Sequence, residues 1–331
     1  MINNNSSYAP LRVIVVGRAG MDLYPEPAGT KIAEAKHFTA MLGGSAANIA
    51  AGLSRLGAEV SLMSALSDDA VGRFCRKQLA AFDIDQSLIS LSAGERRTSV
   101  ALSETRMEDH ETVIYRNGAA DFDLAEDLPD KMEAANLNAL VVTGTALARE
   151  PSRTAAYRSI ARARNAGSLV VLDLDYRPYS WVSAEEASAV YLFAAKMSDI
   201  VVGNDIEFAV LQGAREPDPE HARQLCREGP RTCIYKMGQE GAITFHEGTE
   251  TVSGIYPVNA LKPVGAGDAF LASFLMTLLR GEHISQAVQQ GSAAAALVVS
   301  RQGCSNAMPQ ADEVISFMRS HTMNDAKTKV V

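Results

Sequence analysis

Cysteine is scarce in this chain and scattered: Cys75, Cys226, Cys233 and Cys304 form no Cys-x-x-Cys pair. That spacing supports neither a disulfide framework nor a zinc site, and reduced cytoplasmic thiols are the simpler expectation. Positive charge is not in excess either. The formal net charge is -8, which argues against a general nucleic-acid binder, because such a protein needs a basic face. A local basic pocket for an acidic metabolite stays open. No apolar run approaches the roughly 20 residues that cross a membrane. The stretch from Met1 to Pro10 is polar and lacks the basic-then-apolar pattern of a secretion signal. A soluble, cytoplasmic protein is expected, with no membrane and no nucleic acid among its partners. Two phosphate-binding signatures are also missing. No glycine-rich stretch continues into Gly-Lys-Ser/Thr, and no early strand leads into Gly-x-Gly-x-x-Gly. Internal repeats and low-complexity linkers are lacking too.

What is present suits an α/β fold. The chain has 331 residues, 47% of them hydrophobic, enough for one large domain or a domain with a smaller companion. Short apolar runs predict strands over 11–16, 60–65, 140–143, 169–174, 200–202 and 232–235. Helical spacing predicts helices over 45–56 (with Gly57 as its stop), 152–165 (closed by Gly167), 184–196, 206–211 and 269–279. Another, capped by Ser67, is expected to run to about residue 82. Segments 98–105 and 112–115 flank a polar turn and predict a hairpin. With the segment after Asp22 it would make a small sheet outside the main fold. Strands alternating with helices imply a mostly parallel sheet covered on both faces. The polar ends, 1–10 and 319–331, are expected to fray.

In such sheets ligands bind at the carboxyl ends of the strands. Polar residues gather there: Arg18 and Asp22 after the first strand, Asp173, Asp175 and Arg177 after the 169 strand, Asn204 and Glu207 after the 200 strand, Lys236 and Gly238 after the 232 strand. Each alone is ordinary loop chemistry; their agreement raises the odds of a site. The most informative stretch is Gly265-Ala266-Gly267-Asp268, leading into an apolar helix. The first amides of a helix lack intrahelical partners and sit at the positive end of its dipole, so an anion can bind there. Asp268 in the first turn would lie beside a bound phosphate, placed to take a proton from an attacking hydroxyl. Gly43-Gly44-Ser45-Ala46-Ala47-Asn48 reads equally as a turn with Ser45 as helix cap or as a hinge that aims Asn48 at a ligand. Lys236-Met237-Gly238-Gln239-Glu240-Gly241 suits a plain hairpin turn, and equally a flat surface for a nucleotide.

Taken together, these residues make the chain resemble the ribokinase-like (PfkB) carbohydrate kinases from about residue 11 to 318. Gly43-Gly44 with Asn48 looks like the family's N-terminal signature, and Gly265-Ala266-Gly267-Asp268 like its C-terminal one. The resemblance implies a three-layer sandwich around a mostly parallel sheet, in one domain, with a small β-sheet lid from segments near 23–42 and 96–118. Asp268 would be the base, and the amides of Gly265, Ala266 and Gly267 the anion hole. Asp22, Gly44 and Asn48 would hold the sugar. Asn204, Lys236, Gly238, Gly241 and Ser292 would contact ATP, and Glu207 would organise Mg2+ indirectly. The lid implies a homodimer. In one respect the chain departs from the pattern. Many relatives carry Asp-Thr-Thr where this chain has Lys262-Pro263-Val264. That aspartate helps bind a monovalent cation, which a lysine repels, so no potassium site is expected.

The run Asp173-Leu174-Asp175-Tyr176-Arg177-Pro178-Tyr179-Ser180-Trp181 and the stretch Gly17-Arg18-Ala19-Gly20-Met21-Asp22-Leu23 look most like the branch that phosphorylates 5-dehydro-2-deoxy-D-gluconate in inositol catabolism. A sugar acid needs a cation for its carboxylate, and arginine's fork matches two oxygens. Arg177, Arg116 and Arg18 are the candidates, in that order; the alternative for Arg177 is a structural pair with Asp173 or Asp175. Rival readings are a kinase for 2-keto-3-deoxygluconate or a neutral, fructokinase-like substrate, a nucleoside kinase, and, outside the enzymes, a non-catalytic sugar or nucleotide sensor.

Overall fold

The computed structural model describes residues 10–92 and 94–325, so most of the N-terminal stretch and residues 326–331, both expected to fray, lie outside it. In chain order its strands are β1 (Arg12–Val16), β2 (Gly20–Glu26), β3 (His37–Gly43), β4 (Glu59–Ser67), β5 (Ile89–Ser92), β6 (Val100–Ser103), β7 (Thr112–Tyr115), β8 (Ala139–Thr143), β9 (Leu169–Asp173), β10 (Ile200–Asn204), β11 (Thr232–Lys236), β12 (Ala242–His246) and β13 (Thr249–Ser253). The α-helices are α1 (Ser45–Arg55), α2 (Ala70–Ala81), α3 (Leu128–Lys131), α4 (Ser152–Asn165), α5 (Ala184–Lys196), α6 (Asp205–Leu211), α7 (Pro219–Glu228), α8 (Ala266–Leu279), α9 (Ile284–Val299) and α10 (Ala311–Ser320).

The main sheet has nine strands in the order β13-β12-β11-β10-β9-β8-β1-β4-β5. From β11 to β5 all neighbours pair in parallel; β12 and β13 form an antiparallel edge. Alternation along β1 explains the layers. Val13 and Val15 belong to a core with α1, α2, α8, α9 and α10, while Ile14 and Val16 face a second core with α3 to α7. Period-2 side chains that are apolar on both faces require helices on both sides. The chain leaves β1 toward β4 and β5, then returns to β8 on the other side, which makes the β1/β8 edge a topological switch point. Gly17 sits there because a Cβ would come within 2.1 Å of Thr143 Oγ1.

A second sheet, β3-β2-β6-β7, stands apart from the first. The predicted hairpin is its β6/β7 pair, with Val100 opposite Tyr115, and β2 contributes Asp22 from within a strand. Two capping expectations are corrected. Ser67 does not cap α2: it closes β4 and hydrogen-bonds Thr98, while Asp69 accepts from the amides of Val71 and Gly72. Ser45 does not cap α1 with its side chain, because its hydroxyl is spent on Asp175. Part of the expected C-terminal fray is tied down, since Asn324 Oδ1 accepts from the amide of Ile255 at 2.8 Å.

Candidate active site

The start of α8 is shaped for a close approach. Gly265, its N-cap, has a left-handed φ of 88°, which favours glycine. A Cβ there would also crowd Cys304 Sγ at 3.0 Å. A Cβ on Gly267 would come within 3.0 Å of Lys236 Nζ, so the ammonium lies over the helix start. The helix dipole and the lysine charge therefore favour an anion at the same point. From Ala269 to Thr277 every residue of α8 is buried, which anchors this turn in the core.

Asp268 lies in the first turn of α8 and is only partly covered. Its Oδ2 accepts a 2.8 Å hydrogen bond from Asn48 Nδ2 in α1, so the two glycine signatures meet through their polar side chains. Ser305 Oγ, 2.6 Å from Asn48 Oδ1, holds that amide in place. Desolvation, helped by the nearby Asp175 charge, raises the Asp268 pKa to about 7 against the opposing pull of Asn48, Arg177 and Lys236. A carboxylate poised near neutrality suits a general base.

Around it stand other acids. Burial pushes Asp173, at the end of β9, well above the usual carboxylate range, with Lys236 opposing and Asp175, Glu207 and Asp268 adding to the rise. Asp175 accepts from Ser45 Oγ at 2.5 Å and pairs with Arg177 at 2.7 Å. Asn204 and Glu207 form a reciprocal capping box on α6. Glu207 Oε2 takes the Asn204 amide at 2.7 Å and Oε1 the Tyr176 amide at 3.1 Å. Each oxygen keeps a second lone pair for an ordered water. Among the described residues no group of three or more His, Cys, Asp or Glu is arranged to hold a metal ion.

At the other end, Gly43 makes room for Asp22. A Cβ on Gly43 would lie 2.0 Å from the Asp22 carboxyl carbon. Asp22 Oδ2 accepts from Tyr24 at 3.3 Å, while the buried Oδ1 has no partner among the described residues. Burial raises its pKa, against the charge of Arg18. Gly44, with φ of 94°, packs its Cα against the Arg18 carbonyl, where a Cβ would be 2.4 Å away. Arg116 is committed: it pairs with Asp121, donates to Ser180 Oγ at 2.9 Å and to the Thr145 carbonyl at 3.0 Å, and covers the Phe122 ring.

A cavity of about 470 Å³ opens beside the α8 start, within the range of small-molecule sites. Lys236, Gly238, Gly241, Ser292, Ala266 and Gly267 all line it, and Asn204 does not. The turn Met237–Gly241 is the hairpin between β11 and β12, so the plain and the functional readings of that stretch coincide. Apolar walls from Tyr256, Val258, Phe270 and Val299 suit a flat aromatic ring, and Met107 reaches in from the β6/β7 turn. Sequence reasoning missed these residues, because apolar loop and helix positions carry no motif. Lys262 is fully buried, and its Nζ donates to the carbonyls of Val264 at 2.6 Å and Val298 at 3.3 Å. Desolvation lowers its pKa, while Cys304, Asp268 and Asp22 pull it back up.

Fold and site together define a phosphoryl-transfer enzyme of the ribokinase type: glycines and a carboxylate share one helical turn, beside a cavity of about 470 Å³ and a cleft that holds Asn48 and Asp22. The chain belongs to the pfkB family of carbohydrate kinases, whose pattern it matches over residues 11–311. It is 39% identical over 316 residues to a 5-dehydro-2-deoxygluconokinase of Photobacterium profundum, covering 94% of this chain and 96% of that one. A protein of the same description from Geobacillus kaustophilus is 35% identical over 325 residues, with 97% of each chain covered. Among solved structures, a putative ribokinase II from E. coli in complex with ATP and Mg2+ superposes with a TM-score of 0.84 at 20% identity, covering 94% of this chain and 100% of the other. An aminoimidazole riboside kinase from Salmonella enterica, bound to its riboside and an ATP analog, gives 0.79 at 25% identity, with 93% and 99% covered.

Proposed function

We propose that this kinase transfers the γ-phosphoryl group of ATP to the terminal hydroxyl of 5-dehydro-2-deoxy-D-gluconate, in the cytoplasm. The observation that carries the reading is the contact between Asp268 and Asn48, which joins the base, beside the anion site, to the sugar cleft. The relatives from Photobacterium profundum and Geobacillus kaustophilus, both 5-dehydro-2-deoxygluconokinases, favour this sugar acid over 2-keto-3-deoxygluconate or fructose.

Each residue then has a task. Asp268, deprotonated, accepts the proton of the attacking hydroxyl. The amides of Gly265, Ala266 and Gly267 hold the transferring group, and Lys236 adds positive charge where negative charge develops. Asp22, with its unpartnered oxygen, receives a sugar hydroxyl. Gly238, Gly241 and Ser292 bound the nucleotide cavity, and Asn204, outside that lining, orients Glu207 through the reciprocal cap on α6. Glu207 would hold magnesium through an ordered water, as expected of an ion that keeps much of its hydration, and the ion would supply charge neutralisation. The β2/β3/β6/β7 sheet acts as a lid that excludes water, and as the dimer contact. A coupled ATP-consumption assay across keto-deoxy sugar acids and neutral hexoses tests the reading. The 5-keto-2-deoxy acid should give the highest kcat/KM; ATP turnover highest on a neutral hexose would overturn it.

Lys262 stands in for a monovalent cation in this reading. Its ammonium is bound by main-chain carbonyls, the ligand type a potassium ion would use, and pins the loop that leads into Gly265. Rates should be equal in potassium and tetramethylammonium salts at matched ionic strength. Activation of several-fold by potassium would sink the substitution.

A further inference from the structure

Resting on that reading, a carboxylate must be received somewhere in the sugar cleft, and the three candidate arginines are not equivalent. Arg116 is saturated by Asp121, Ser180 and the Thr145 carbonyl. Arg177 is ion-paired to Asp175, which Ser45 and Thr145 also hold, and its side chain is 41% exposed. Arg18 differs from both. It is only 8% exposed, yet no carboxylate lies within ion-pair distance among the described residues. Its one side-chain bond is from Nη1 to Ser99 Oγ at 3.0 Å, which leaves four of the five guanidinium N–H groups uncommitted. A buried cation without an anion is unfavourable. Such a group persists where a ligand completes it.

Its position fits. Arg18 follows β1 at the switch point between β1 and β8, where ligands of parallel sheets lie. Gly20 leaves space against Nη1, where a Cβ would sit 3.0 Å away. The Arg18 charge acts on Asp22, whose Oδ1 also lacks a partner. It acts as well on Tyr179, half-exposed in the loop after β9. The guanidinium is therefore held beside the second sheet, at Ser99 just before β6.

We propose that Arg18, oriented by Ser99, is the residue that binds the substrate carboxylate, and that Arg177 and Arg116 are scaffold. Selection for an acid over a neutral sugar then comes from the first βα connection.

The test compares wild type, Arg18→Met, Arg18→Lys, Ser99→Ala and Arg177→Met on the sugar acid and on its neutral primary-alcohol analogue. Loss of a bidentate charged contact should raise KM for the acid about 100-fold more than for the analogue in Arg18→Met. Arg18→Lys should recover part of this, and Ser99→Ala should show a smaller, equally acid-selective rise. Melting temperature in Arg18→Met should hold or rise, because an unpaired buried charge is gone. Equal losses on both substrates, or an acid-selective loss in Arg177→Met instead, would overturn the assignment. Wild type that turns over only neutral sugars would overturn the substrate reading itself, and this proposal with it; wild type active on the acid with Arg18→Met unaffected removes Arg18 alone.

Discussion

Asp268→Asn should lower kcat by about three orders of magnitude while leaving the Kd for ATP within a few-fold, since general-base catalysis contributes roughly 10²–10⁴. The amide is the same size and keeps a polar contact with Asn48, but it cannot accept the substrate's proton. The nucleotide cavity is lined by other residues, so ATP binding is spared. In the wild type the same carboxyl should set the acid limb of kcat/KM, with a midpoint near its pKa of about 7. Stability should move the opposite way. The folded carboxyl titrates near 7 against the ordinary 3.8, so below about pH 4 it is neutral in both states and the variant matches wild type. As pH rises toward 7 the wild type progressively carries the burden of a buried charge, and above 7 the gap is full. The two pKa values bound that gap at about 4 kcal/mol, and partial exposure reduces it. Asp268→Asn should therefore melt a few degrees higher than wild type at pH 8 and at the same temperature at pH 4. Near-normal turnover in a folded variant, or a lower melting temperature at pH 8, would remove Asp268 from its role.

The parts of the site that were legible in the sequence are those where chemistry dictates residue type. Glycines at 43, 44, 265 and 267 announce themselves because backbone or another side chain occupies the space a Cβ needs. The strand ends were legible because apolar runs of β1, β9, β10 and β11 stop at polar residues. Capping was not. Ser67 and Ser45 both look like helix caps locally, but Thr98 and Asp175, distant in sequence, claim their hydroxyls. The ranking of the arginines was hidden for the same reason: which of them is already satisfied depends on Asp121, Ser180 and Asp175, brought together only by the tertiary fold. The apolar wall of the cavity, from Tyr256 to Val299, is spread over a loop and two helices and has no spacing to read.

Gly43→Ala should cost about 100-fold in kcat/KM for the sugar, the scale of a misplacement of about 1 Å at a reacting site, and leave ATP binding unchanged. Gly43 does not have a left-handed backbone, so conformation is not the reason for the glycine. Space is. An alanine methyl would stand 2.0 Å from both Cγ and Oδ1 of Asp22, far inside contact distance, and the carboxylate would have to swing away. The backbone of β3 cannot yield easily, because Gly43 pairs with Gly20 at the head of β2 and leads directly into Gly44 and α1. Displacing Asp22 removes the proposed receptor for a sugar hydroxyl and disturbs the start of the helix that carries Asn48. If the methyl acts through Asp22, the two changes are not independent. Asp22→Ala should show a loss of similar size, and Gly43→Ala combined with Asp22→Ala should be little worse than Asp22→Ala alone. Multiplying losses in the double variant would mean that Gly43 matters through the helix start and not through the carboxylate it accommodates.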